Sequence, residues 1–193
     1  MTQDDQIQSL LDKMHAMFNG AVGPNNRAEY MRQHNVSGID WHFSLSADDI
    51  INQKIPRMVA GCTGIAKVFC KYATDAGLDC VVLTTARIEN LDGAAQDIKE
   101  GKKERIINGH QIIAVHDAGG RLRAFDPDQK ELKYIKSEIK VGNIIKFRFD
   151  TVVPHLITAI LTPTEYSKID TYKKLRDIYV NGVDNKKARL CAG

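Results

Sequence analysis

The chain has 193 residues, 43 % hydrophobic and 26 % charged, the proportions of an ordinary folded domain long enough to bury a core without staples. A formal net charge of +3 is too small for a nucleic-acid footprint, which gathers far more charge on one face. The start, Met1-Thr2-Gln3-Asp4-Asp5-Gln6, has no basic stretch leading into an apolar run, and no segment nears the roughly 18 apolar residues of a membrane span. Cytoplasmic placement with no membrane partner is therefore expected, export by a route that reads other signals aside.

Ile7, Leu10, Leu11, Met14, Met17 and Phe18 recur at helical spacing and predict a first helix over 5–18, ended by Asn19-Gly20. A turn at Gly23–Asn26 precedes a short helix from about Arg27 to His34. Trp41 and Phe43 fall in a loop or short strand. Ser46 with Asp49 forms a capping pair for a helix near 47–54, and Pro56 interrupts it.

A central helix is expected over 62–76, with Ile65, Ala66, Phe69, Ala73 and Ala76 on one stripe and Gly77 as its stop. Cys80-Val81-Val82-Leu83-Thr84 reads as a strand buried on both faces. Residues 86–108, with Asn90–Gly93 and the charged run Lys99–Arg105, read as a long polar insertion, either a functional lid or a solvated linker.

From His110 the pattern becomes β, with strands predicted at 110–116, 121–126, 143–149 and 156–161. Helix returns from Pro163 to about residue 181, with Ile169, Tyr172, Leu175 and Ile178 facing inward. The basic tail around Asn185–Arg189 is expected to fray. Helices first and a meander of strands afterwards make the fold class α+β in one domain. The helical N-terminal part spans 1–55, the core about 56–161 and the C-terminal helix about 163–181.

Cys62, Cys70, Cys80 and Cys191 include no C-x-x-C pair, so they read as reduced thiols rather than a disulfide framework or a structural zinc site. No metal or cofactor is expected. Cys70 and Cys80 fall in core elements, and Cys191 near the chain end is a reactive thiol without function. His42, His116 and His155 read as structural or exposed, and the Lys102-Lys103, Lys173-Lys174 and Lys186-Lys187 pairs as solvated faces.

Cys62 stands apart. In Ala60-Gly61-Cys62-Thr63-Gly64 it opens the central helix, where unpaired backbone N–H groups and the helix dipole favour a thiolate and offer part of an oxyanion hole. Downstream, Asp117-Ala118-Gly119-Gly120 joins His110–His116 to Arg121–Asp126 as a hairpin. A three-residue loop with Gly119 left-handed sets Ile112 opposite Ala124 and His110 opposite Asp126. That register gives one uniformly apolar face of Ile112, Ala114, Leu122 and Ala124. A slip of one residue would mix Arg121 and Arg123 into it and is rejected. Directly opposite side chains have Cβ atoms within about 5.5 Å, so Asp126 can orient the His110 ring as the third member of a triad does.

The order Cys62…His110…Asp126, with a cysteine helix before a β-hairpin, resembles the transglutaminase-like superfamily of papain-like cysteine enzymes over residues 56–128. The resemblance rests on Gly61-Cys62 followed by Ala66 and Phe69, on Ala76-Gly77-Leu78 before a strand, on Gly109-His110 opening a strand, and on Phe125-Asp126-Pro127 closing the next. The chain departs from the family at Cys80-Val81-Val82, where an arginine and a small residue are usual, and at Ile112, where an aromatic is usual. The resemblance implies that Cys62 is the nucleophile, His110 its base and Asp126 the orienter. Gln53 resembles the oxyanion glutamine of the papain branch, and Trp41 the transglutaminase counterpart. The activity implied is acyl transfer from an amide of a protein or peptide through a thioester, as protease, deamidase or transglutaminase. The alternatives are an inactive binding module on the same fold, or a thiol-based metal or redox site.

Overall fold

The computed structural model describes residues 1–38, 40–101, 107–148 and 152–191. Among them the chain is α+β. The elements run α1 (Gln3–Asn19), α2 (Arg27–Gln33), α3 (Trp41–Ser44), α4 (Ala47–Asn52), α5 (Arg57–Asp75), β1 (Cys80–Arg87), α6 (Ile88–Lys99), β2 (Gly109–His116), β3 (Leu122–Phe125), β4 (Ile144–Arg148), β5 (Val152–Leu161), α7 (Pro163–Ser167) and α8 (Tyr172–Cys191).

The strands form one sheet in the order β3-β2-β1-β5-β4, and each neighbouring pair is antiparallel. The helices α1, α5, α7 and α8 share the larger core with one face of the sheet, where Val82, Ala86, Ile113, Val115 and Phe125 meet Leu11, Met14, Val68 and Phe69. The other face buries Leu83, Ile112, Ala114, Ala124, Ile145 and Ile157, with Ile135 and Ile139 of the 126–143 segment packed against them. The apolar face expected of the hairpin therefore belongs to the smaller cluster, and the face with Ile113 and Phe125 meets the helices. Strand β1 is buried on both faces, as its run of apolar residues predicted.

Sequence signals placed several boundaries. Ser46 and Asp49 form a reciprocal capping box at α4, and Thr2 with Asp5 does the same for α1. The short element at 41–44 is a helical turn, neither loop nor strand. The insertion at 86–108 carries regular structure over much of its described length: β1 runs on to Arg87 and a helix fills 88–99. Ile88, Leu91, Ala95 and Ile98 carry helical spacing through that stretch, which Gly93 and the charges obscured. Residues 102–106 of the charged run, including the Lys102-Lys103 pair, lie outside the described residues.

Strand β5 starts at Val152 rather than 156 and includes Pro154. Pro154 pairs with Lys146 of β4 but lies beyond the last β1 pair, Arg87 with His155, so its missing N–H costs no bond on the β1 side. The C-terminal helix is split by Lys168–Thr171 into α7 and α8, and α8 continues through the expected frayed tail to Cys191. The side chains of Lys186, Lys187 and Cys191 lie outside the described residues.

Candidate active site

Gly61 breaks α5. Its backbone stands at φ 63°, ψ −177°, a region open essentially to glycine alone. The break makes Cys62 the first residue of the long helical run that follows, the position expected from sequence. A Cβ on Gly61 would also lie 2.6 Å from Nη2 of Arg27. The first turn of α5 is held from outside by Asn25, whose Oδ1 accepts from the Met58 N–H at 3.0 Å.

His110 is the second residue of β2 and Asp126 follows directly on β3. His110 Nε2 and Asp126 Oδ1 are 2.9 Å apart, and both side chains are buried. The hairpin register differs from expectation by two residues: Ala114 pairs with Ala124, and Ile113 with Phe125. Asp117 N–H donates to Arg121 O at 2.8 Å, so the three-residue loop is 118–120 and Gly120, at φ 76°, takes the left-handed place expected of Gly119. A shift of two preserves which face each side chain occupies. His110 and Asp126 therefore remain on one face and meet diagonally rather than directly.

The aspartate is fixed from several sides. Its Oδ1 also accepts from the Asp128 N–H at 3.0 Å. Arg57, in the first turn of α5, donates from Nε to Asp128 Oδ1 at 2.9 Å and from Nη2 to Asp128 O at 2.7 Å. This fork ties the turn carrying Asp126 to the helix carrying Cys62. Helix α1 holds the next residues: Gln8 donates to Lys130 O and accepts from the Leu132 N–H, and His15 contacts Gln129 O.

Burial disfavours charge on the His110 ring, but hydrogen bonds to Asp126 and to Cys62, with the negative charge both partners can carry, outweigh it and push its pKa up to about 10. Nε2 is the ring atom committed to Asp126, and Cys62 adds a hydrogen bond and charge that favour the protonated ring. The structure thus brings Cys62, His110 and Asp126 together in the order the sequence suggested.

The thiol has a second contact that sequence reasoning missed. Cys62 Sγ donates to Gln111 Oε1 at 2.7 Å, and Gln111 Nε2 donates to the Tyr179 hydroxyl at 2.9 Å. Gln111 is 1 % exposed, on the helix-facing side of β2. Tyr179 reaches it from α8 across Gly109, where a Cβ would collide with the tyrosine ring. His155, also buried, sits behind the site, with Nδ1 3.1 Å from Thr85 Oγ1, which donates to His110 O. Burial, then the positive charges of His110 and Arg87, push its pKa down to about 4.

A cavity of about 280 Å³ opens onto Cys62, lined among others by Arg27, His42, Phe43, Gln111 and Tyr179. Gln53 and Trp41 do not line it. Gln53 is exposed at the end of α4, and Trp41 stacks on Tyr30 at 5.7 Å between ring centres. His42 lines the cavity and His155 is buried behind it, whereas His116 is exposed. Cys70 and Cys80 are buried thiols with Sγ atoms 3.9 Å apart. No group of three or more metal-ligating side chains occurs among the described residues, and no helix among them is long and apolar enough to cross a membrane. Comparison of the chain with protein-family models, curated proteins and solved structures returns no match.

Proposed function

We propose that the protein is a cysteine-dependent acyl-transfer enzyme of the transglutaminase-like kind, built on a papain-like core and acting on an amide of a protein or peptide. The observation that carries this reading is the buried His110 ring, bonded to Asp126 at 2.9 Å and drawn toward its charged form by Asp126 and Cys62. An imidazolium held beside a sulfur is the ground state of a thiolate nucleophile.

In this reading Cys62 Sγ attacks the amide carbonyl carbon, and the carbonyl oxygen becomes an oxyanion held by the Cys62 backbone N–H. The tetrahedral intermediate collapses, the C–N bond breaks, and the amine or ammonia leaves with a proton from His110. The thioester is then resolved by a nucleophile whose proton His110 accepts. Water makes the enzyme a protease or deamidase; an amine makes it a transglutaminase.

A second reading, an inactive binding module, is favoured by one contact: Cys62 Sγ donates to Gln111 Oε1, an amide oxygen that can only accept. The two readings separate on the rate of Cys62 labelling by iodoacetamide across pH. An active pair labels at pH 6.5 at least about tenfold faster than free cysteine, and His110→Ala abolishes the advantage. A rate equal to that of free cysteine and indifferent to His110 would contradict the enzymatic reading.

A further inference from the structure

Arg27 is the first residue of α2 and reaches the active-site cavity from outside the core that carries the triad. Its guanidinium lies against Gly61, the residue before Cys62. Among the described residues no carboxylate pairs with it, and its Nε is buried without a hydrogen-bond acceptor. Burial lowers its pKa, and the charge opposing that shift is the one Cys62 can carry. Among the described residues nothing repays the hydration that the buried Nε gives up. Such a cost is recovered when a planar anion docks, because the fork of N–H donors matches a carboxylate.

The remaining lining agrees. Among the described residues no aspartate or glutamate lines the cavity; its polar groups there are His42, Thr63, Asn108, Gln111 and tyrosine hydroxyls, and Phe43 and Leu175 give it apolar wall. A volume of about 280 Å³ holds one side chain rather than an extended peptide. We infer that Arg27 is a carboxylate clamp, and that the site takes an acyl donor with a carboxylate close to the carbonyl that Cys62 attacks. This rests on the enzymatic reading of Cys62 and adds the substrate's charge to it. Arg27 binds and positions; the bond changes stay with Cys62 and His110.

The test compares two alkylating agents of nearly equal size at Cys62. Iodoacetate carries the carboxylate and iodoacetamide does not; in both, sulfur forms the S–C bond as iodide leaves. The readout is the ratio of the two rates, in which any change in the thiolate's own reactivity cancels. The expected result at low ionic strength is an iodoacetate preference at least tenfold above that of free cysteine in the same buffer, lost in Arg27→Gln. A second readout needs no variant: acetate, but not acetamide at equal concentration and constant ionic strength, slows iodoacetamide labelling of the wild-type protein. Reaction with both reagents at the free-cysteine ratio, with no protection by acetate, would overturn the clamp and leave the enzymatic reading standing. Failure of Cys62 to react with iodoacetamide faster than free cysteine would overturn both.

Discussion

At the scale of single residues, the site depends on backbone as much as on side chains. Gly61 sits at φ 63°, ψ −177°, and that break starts the helix at Cys62. Replacing it with alanine forces either a conformation costing about 1–3 kcal/mol or a rotation of the break that moves the sulfur from His110. The Cβ also displaces Nη2 of Arg27, a flexible tip that can yield. Gly61→Ala is therefore expected to lower the unfolding free energy in urea by that amount, or to slow Cys62 labelling to the rate of free cysteine. A variant unchanged in both would show that the break is incidental. Gly61-Cys62 was legible in the sequence because glycine beside a helix-opening cysteine has a local cause. Gln111 was not, because one residue beyond His110 it faces the other side of the strand, and its importance comes from Cys62 and Tyr179, both far away in the chain.

At the scale of elements, buried polar side chains hold the pieces around the site in place. Lys67 on α5 donates its ammonium to Phe43 O at 2.6 Å and Leu45 O at 2.9 Å. Burial lowers its pKa to about 8, yet the two carbonyls, which end the α3 turn, require it. That turn places His42 and Phe43 on the cavity wall. Lys67→Met keeps the length and removes the donors, leaving two inward-facing carbonyls unsatisfied at about 1–3 kcal/mol each. The expected outcome is a lower urea midpoint with an unchanged denaturant slope; a midpoint equal to wild type would contradict the role. The hairpin teaches a related lesson. Alternation of Ile112, Ala114, Leu122 and Ala124 specified which residues share a face, but a two-residue shift keeps that alternation. The actual pairs were decided by Asp117, which closes on Arg121 through its backbone and caps the Gly119 and Arg121 N–H groups with Oδ1.

For the whole molecule, the α+β class, the approximate positions of the strands and the shared face of His110 and Asp126 could be read from periodicity and turn chemistry. The sheet order, the docking of α1 and α8, and the Arg27 cavity could not, since each joins segments distant in sequence. Folding nonetheless places a histidine where its charged form is favoured, and that links the site to global stability. The sign follows from the shift. His110 binds its proton more tightly folded than unfolded, so its contribution is complete below its ordinary value of 6.5 and is lost as pH rises through about 10. The most direct measurement is an NMR titration of the His110 ring nitrogens in the wild-type protein and in Cys62→Ala. The expected result is an imidazolium that persists through pH 8, titrates near 10, and shifts downward when the sulfur is removed. A ring that titrates near 6.5 in both proteins would contradict the pairing of Cys62 with His110, and with it the proposed chemistry.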